Sequence, residues 1–270
     1  MSILSVDQLK CTKCGMCTEI CPSRVIEMGD NGPEMILEER CIACGHCVAI
    51  CPYAALDNEK NPLAKQVPIE KFPVLEPSTA ACFLRSRHSV RGYKKEPVKH
   101  DAILKLLDIA RFAQTAGNTQ GLSYLVIDDP EVLNKIRSVT IDWLEEQYKS
   151  GHSWAQRYGR YVTIYRETGR DVIFRGAPTL VFAIADKELR TGWDNARYAL
   201  AYAELYATTL GLGTVWGGYV EQCATANHQP FLDLVPVPQG KKVCGVIMVG
   251  YPKYTYKRLV DRNPLEVIWG

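Results

Sequence analysis

Two runs of cysteine carry the most specific chemistry in the chain: Cys11-x2-Cys14-x2-Cys17-x3-Cys21-Pro22 and Cys41-x2-Cys44-x2-Cys47-x3-Cys51-Pro52. Each position in the first run has its counterpart thirty residues on (11 to 41), and the apolar pairs Val25-Ile26 and Ala55-Leu56 keep the same offset. A unit this short cannot bury a useful core alone, so two copies closing around an inorganic centre is the natural arrangement. Three thiolates spaced by two residues can wrap one corner of an iron–sulfur cubane, and a fourth followed by proline turns toward the other centre of a pair. On that rule Cys11, Cys14, Cys17 and Cys51 ligate one [4Fe–4S] cluster, and Cys41, Cys44, Cys47 and Cys21 the other. Zinc usually takes two separated ligand pairs, and a disulfide framework needs an oxidising compartment, so both alternatives are disfavoured.

Over about residues 1–60 this pattern resembles bacterial two-cluster ferredoxins. The 270-residue chain is 47% hydrophobic and 23% charged with net charge +2, so neither a basic excess for nucleic acid nor an acidic arm is present. The first residues lead straight into Asp7 and Lys10 without a signal-peptide core, and no apolar run approaches the roughly eighteen residues of a membrane span. Cluster cysteines in such a chain point to a reducing cytoplasm, with no membrane and no nucleic acid as partner. The three remaining cysteines, Cys82, Cys223 and Cys244, sit among small or apolar residues and are expected to be buried filler.

The elements that must position this chemistry divide at a proline-rich stretch. Residues 61–82 read as a semi-rigid linker, with Pro62, Pro68, Pro73 and Pro77 breaking any helix. Beyond it, residues 83–270 mix helices and strands. Asp101 is placed to cap a helix whose face is Ile103, Leu106, Leu107 and Ala110. Strands are predicted at Tyr124–Ile127, Thr179–Ala185 and Val243–Val249. The segment 194–210 is helical and apolar nearly all round, which predicts burial on every side in a large core or a subunit interface. Helices gathered between few strands indicate an α+β class.

Arg87-His88-Ser89-Val90-Arg91 is the first functional stretch of this second domain, because guanidinium forks pair bidentately with phosphate oxygens. It is followed by Gln114-Thr115-Ala116-Gly117-Asn118, by Gly211-Leu212-Gly213-Thr214-Val215-Trp216-Gly217-Gly218, and by Gly250-Tyr251-Pro252 with Lys257-Arg258. In that order and spacing the four stretches resemble the FMN-dependent nitroreductase family over nearly all of residues 83–270. The resemblance implies that Arg87, His88, Ser89 and Arg91 hold the FMN phosphate and ribityl chain, and that Thr115 and Asn118 reach the flavin of a partner subunit. It further implies that Gly217 and Gly218 bring backbone to the flavin ring and that Lys257 and Arg258 lie near the phosphate. His88 stands where the family has a second arginine, which ties phosphate binding to the protonation of an imidazole. Gln114 and Gly121 replace prolines of the family pattern.

An aromatic insert lies between the first two strands: Trp143, Tyr148, Trp154, Tyr158, Tyr161 and Tyr165, interleaved with Arg157, Arg160 and Arg166. Either it is a helical hairpin whose rings pack on their own base, or a lid whose rings cover a flavin-bound substrate while its arginines select an anion. Trp193 and Trp216 are expected to be packing residues.

The two resemblances together imply a small two-cluster ferredoxin domain followed by a nitroreductase-like α+β domain that dimerises. The implied function is an FMN-dependent oxidoreductase in which two [4Fe–4S] clusters feed electrons to FMN for reduction of a nitroaromatic, quinone or enone acceptor. No catalytic side chain is expected, since the flavin carries the chemistry. A homodimer, a low-potential donor such as ferredoxin or NAD(P)H, and a small-molecule acceptor are the implied partners. Two alternatives stay open: an NAD(P)H-dependent nitroreductase whose ferredoxin domain only docks, and an electron-transfer subunit for a partner protein.

Overall fold

The computed structural model describes residues 2–270. They fall into two compact units: the residues up to Val74 together with Gly117–Thr119, and Leu75–Ala116 together with Gln120–Gly270.

The first unit contains β1 (Leu4–Val6), α1 (Met16–Glu19), β2 (Ile26–Gly29), β3 (Gly32–Met35), α2 (His46–Ala49) and β4 (Leu56–Asn58). β1 pairs antiparallel with β4, and β2 with β3. The thirty-residue repeat extends to backbone angles. Gly15 and Gly45 precede the two helices at φ 82° and 73°, Lys13 and Ala43 both stand at 55°, and Arg24 and Ala54 at 52° and 49°. Left-handed conformations at non-glycine residues are costly, and their recurrence at matched positions marks two copies of one built loop. Leu4, Val25, Ile26, Val48, Ala55 and Leu56 form the small core, together with Cys17, Cys21 and Cys47.

The second unit runs α3 (Pro77–Ser86), α4 (His100–Ala110), β5 (Leu122–Ile127), α5 (Pro130–Lys149), α6 (Gly159–Thr168), β6 (Thr179–Asp186), α7 (Gly192–Ala207), β7 (Gly213–Trp216), α8 (Gly218–Thr225), α9 (Gln229–Leu232) and β8 (Lys241–Gly250). One sheet has the order β5-β6-β8-β7, antiparallel throughout. Val181, Ala183 and Ala185 face the α7 side with Ala196, Leu200 and Ala203. Leu180, Phe182 and Ile184 face the opposite layer with Ile136, Ile141 and Leu144 of α5. Both faces are covered, which is why β6 and β8 read as unbroken apolar runs. The mixed helix and strand content is the α+β class expected.

Three local expectations are corrected. Pro77 opens α3 instead of breaking it, because a first-turn proline sacrifices no helical hydrogen bond and the Glu76 carboxylate accepts from the Thr79 amide at 3.0 Å. Cys82 is exposed, since α3 buries none of its residues, whereas Cys223 and Cys244 are buried. The residue before α4 is Lys99; Asp101 lies inside the first turn, where its carboxylate pairs with Lys105 at 2.9 Å. Of the two settings expected for α7, a large core or a subunit interface, the core accounts for one face, while Tyr198 and Tyr202 are 49% and 42% exposed on the other in a single chain. No helix among the described residues is long and apolar enough to cross a membrane.

Candidate functional site

In the first unit the eight motif cysteines sort into two sets. Cys11, Cys14, Cys17 and Cys51 line one cavity. Cys21, Cys41, Cys44 and Cys47 line the other. Each loop of three comes from one repeat and its fourth cysteine from the other, because the paired strands bring each Cys-Pro corner against the opposite loop. Among the described residues no group of three or more His, Cys, Asp or Glu side chains has the arrangement of a single-ion site. Thiols ringing a cavity suit a multi-atom cluster better than one zinc ion. Burial pushes the Cys47 thiol up to about 11 and raises Cys17 as well, so a metal bound there would displace a proton from each. The amide of Ala55 donates to Cys51 Sγ at 3.3 Å, the kind of bond that tunes a cluster's potential.

In the second unit the segment after α3 is clamped on both sides. The Val90 amide donates to the Thr214 carbonyl of β7 at 2.9 Å, and the Lys253 amide to Gly92 at 2.9 Å. This closure brings Arg87 and His88 together with Lys257 and Arg258 around a cleft of about 440 Å³. The His88 ring stacks on Tyr256 with centroids 3.9 Å apart and planes 8° off parallel. Its Nδ1 contacts the Ser86 carbonyl and therefore carries a proton, and its Nε2 is buried with no partner. An anion entering the cleft would satisfy Nε2 when the ring is cationic. Together with three further basic groups, this orphan fits the phosphate of a flavin nucleotide.

Glu204 was not singled out by sequence. Its Oε1 stands 3.8 Å from Arg87 Nη1 and accepts from Thr214 Oγ1 at 3.1 Å, so it holds the arginine at the cleft wall. Burial raises its carboxyl above the usual range, against the opposing pull of Arg87 and Thr214. An acid within the otherwise apolar stretch 198–207 of α7 was the signal available for it.

Of the other expected residues, Gly217, Gly218 and the Ser89 side chain do not line this cleft, and neither do Thr115 and Asn118, the two expected to reach the flavin of a partner subunit. Thr115 Oγ1 accepts from the Gln120 amide at 2.9 Å, and Asn118, which groups with the first unit, donates to the Ile42 carbonyl at 2.9 Å. Gly217 donates to the Val246 carbonyl at 2.8 Å, and its missing side chain lets the chain lie against Val246, 3.0 Å from where a Cβ would be. Gly218 opens α8. Arg91 lines a different cavity, together with Arg157 and Arg160.

Within the aromatic insert, Trp143 and Tyr158 are buried, with Trp154 packed 5.9 Å and 5.8 Å from them. Tyr219 of α8 closes the group 5.1 Å from Tyr158 and 6.0 Å from Tyr161. These rings pack on their own base. Arg166 is bound to Asp142 and Glu145 at 2.5 and 2.7 Å, so it selects no anion.

A family model described as the nitroreductase family matches residues 84–251. A second, described as a 4Fe-4S dicluster domain, matches residues 10–56. An iodotyrosine deiodinase from Nematostella vectensis is 24% identical over 196 residues, covering 68% of this chain and 72% of the relative. Among solved structures, an oxidised iodotyrosine deiodinase bound to FMN and 3-iodo-L-tyrosine superposes with a TM-score of 0.56 at 23% identity, covering 70% of this chain and 98% of that one. A nitroreductase with bound FMN from Desulfitobacterium hafniense superposes with a TM-score of 0.57 at 18% identity, covering 72% of this chain and all of that one (100%). At these identities the superpositions speak for the fold of the second unit.

Proposed function

The chain belongs to the nitroreductase family, carries a 4Fe-4S ferredoxin-like domain and is a flavin oxidoreductase, and we propose that two [4Fe–4S] clusters supply the electrons with which FMN reduces a small organic acceptor. When bound, clusters and flavin supply the exchange between one-electron and two-electron chemistry. The observation that carries this reading is the sorting of eight cysteines into two four-cysteine cavities within a chain that also builds a basic cleft.

The chain's own residues hold and orient. Cys11, Cys14, Cys17 and Cys51 would ligate one cluster and Cys21, Cys41, Cys44 and Cys47 the other. Arg87, Lys257 and Arg258 would grip the FMN phosphate, with His88 adding a donor and Glu204 keeping Arg87 at the wall. Low-potential clusters favour harder reductions than nicotinamide does, since each ~30 mV is worth about 1.4 kcal/mol in a two-electron step. A homodimer is supported by apolar surface that one chain leaves open: Tyr198 and Tyr202 on α7, and Leu265, Ile268 and Trp269 near the end, 89%, 97% and 90% exposed.

The test is anaerobic purification followed by iron, acid-labile sulfide and flavin quantification, with about eight irons and one FMN expected per chain. Cys14→Ala is expected to abolish turnover driven by reduced ferredoxin while FMN stays bound and reducible by dithionite. Undiminished ferredoxin-driven turnover in that variant overturns the proposal. Steady NAD(P)H oxidation without ferredoxin would instead reduce the cluster domain to a docking module.

A further inference from the structure

A second basic cavity, of about 410 Å³, opens beside α6 and is lined by Arg91, Arg157, Arg160, Arg170 and Arg175 with Tyr161. Among the described residues none of these five arginines pairs with a carboxylate; the arginines that do are Arg87, Arg111, Arg137, Arg166 and Arg197. Five unneutralised guanidinium groups around one hollow repel one another, and that arrangement persists where an anion is to be held.

The single acid in the lining, Asp171, is committed elsewhere. Its Oδ1 accepts from the Ile173 and Phe174 amides at 3.1 and 2.8 Å, and its Oδ2 from the Gly176 amide at 2.9 Å. Arg137 Nε stands 3.4 Å from Oδ1, too poorly aligned for a hydrogen bond but close enough to balance the charge. Asp171 thereby folds the turn that carries Arg170 and Arg175. Arg175 sits at φ 55°, a left-handed conformation that a non-glycine residue adopts only when its surroundings impose it. Across the hollow, Arg157 donates to the Tyr158 hydroxyl at 2.7 Å and lies 4.9 Å from that ring's centroid, which orients the fork without neutralising it. Arg91 donates to the Ser89 carbonyl at 3.3 Å. The cavity is thus lined by uncompensated forks, two of them oriented by hydrogen bonds within the chain.

We propose that this cavity binds the charged end of the acceptor, and that the acceptor is an organic acid presenting at least two neighbouring oxyanion groups. Guanidinium forks match carboxylate and phosphoryl oxygens alike, and a single negative charge would leave most of the five unmatched. Naming the ligand the acceptor rests on the oxidoreductase function proposed above; the anion site itself does not.

Calorimetric titration of the FMN-loaded protein with pyrophosphate and, separately, citrate tests the site without any turnover. At low salt one of the two probes is expected to bind with a stoichiometry of one. Its affinity should fall about tenfold in Arg160→Gln, further in Arg160→Gln/Arg170→Gln, and not in Arg190→Gln, an exposed arginine outside the cavity. Tighter binding of pyrophosphate identifies phosphoryl oxygens as the natural source, and of citrate carboxylates. Arg160 and Arg170 are both exposed, so misfolding does not cloud the result. Absence of binding by either probe, equal binding by the double variant, or an equal loss in Arg190→Gln overturns the site. Normal probe binding by a protein that reduces no acceptor would sink the proposed function and leave the site standing.

Discussion

Gly213 is where the basic cleft proposed to hold FMN is most tightly built, and Gly213→Ala is the sharpest test of it. A Cβ placed there would lie 2.6 Å from Val90 Cγ2, 3.0 Å from Val90 Cβ and 2.8 Å from Pro252 Cγ. Carbon atoms prefer about 3.5–4.0 Å, so the neighbours must retreat by roughly 1 Å. Neither retreats easily: Val90 is buried, stiff at χ1 and tied by its amide to Thr214, and Pro252 is a rigid ring bridged to Tyr93. Overpacking of this kind costs about 1–3 kcal/mol, partly offset by about 0.4–1 kcal/mol from a less flexible unfolded chain. A net loss of about 1–2 kcal/mol lowers Tm by roughly 2–8 °C for a unit of this size. Because the displaced atoms carry Arg87 and His88 on one side and Lys257 and Arg258 on the other, FMN content after gel filtration should fall as well. Gly240→Ala is the control: at φ 82° with nothing within 4 Å of the added carbon, it strains the backbone far from the cleft wall and should lower Tm while flavin is kept. Thermal melts followed by circular dichroism, with flavin absorbance on the same samples, decide the matter. An unchanged Tm with full flavin in Gly213→Ala would refute the packing argument.

Asp171→Ala removes the acceptor for three backbone amides and leaves Arg137 unmatched, so a loss of roughly 3 kcal/mol is expected by urea titration, and a loss within 0.5 kcal/mol of zero counts against its scaffolding role. Glu204 supplies a pH dependence. Its folded carboxyl holds a proton more tightly than its ordinary value of 4.5, so its contribution is fully present below that pH and is lost as pH rises through the raised value. The melting temperature of Glu204→Gln relative to the native protein should therefore climb as pH rises above about 4.5, and a constant difference across that range rules the effect out.

The cysteine spacing could be read because ligand geometry is local: three residues per loop and one proline corner determine who meets whom, and the cavities follow. Strands β6 and β8 were legible for a similar reason, since a strand covered on both faces is apolar at every position. Strand β7 was not, because its four residues lie in a glycine-rich stretch that reads equally as a turn, and it is the antiparallel pairing with β8 that makes it a strand. Cys82 was misjudged because small neighbours predict burial only when the helix has something to pack on, and α3 does not. Arg87 and Arg91 were grouped on the family motif, and in one chain the extended segment between them carries the two side chains to different cavities. Glu204 is legible only in part for the opposite reason. Its role depends on Thr214 and Arg87, partners that only the folded chain brings near.

What separates a structural arginine from a functional one here is its partner. Arg137 and Arg166 meet carboxylates supplied by the chain itself, Asp171 for one and Asp142 with Glu145 for the other, and their charge ends there. Arg87 is intermediate, since a carboxylate 3.8 Å away orients it without saturating a fork that has five donors. The arginines beside α6 have no such partner among the described residues, although Asp171 stands in the same lining with its oxygens turned to the backbone. Exposed pairs are worth little, about 0–1 kcal/mol, so pairing these arginines would add little stability, whereas leaving them open keeps the full charge for an arriving anion. On that physical ground the two basic cavities differ in kind. One is a cleft with an internal carboxylate and an orphaned imidazole, fitted to a resident phosphate, and the other an open ring of forks, fitted to a ligand that comes and goes.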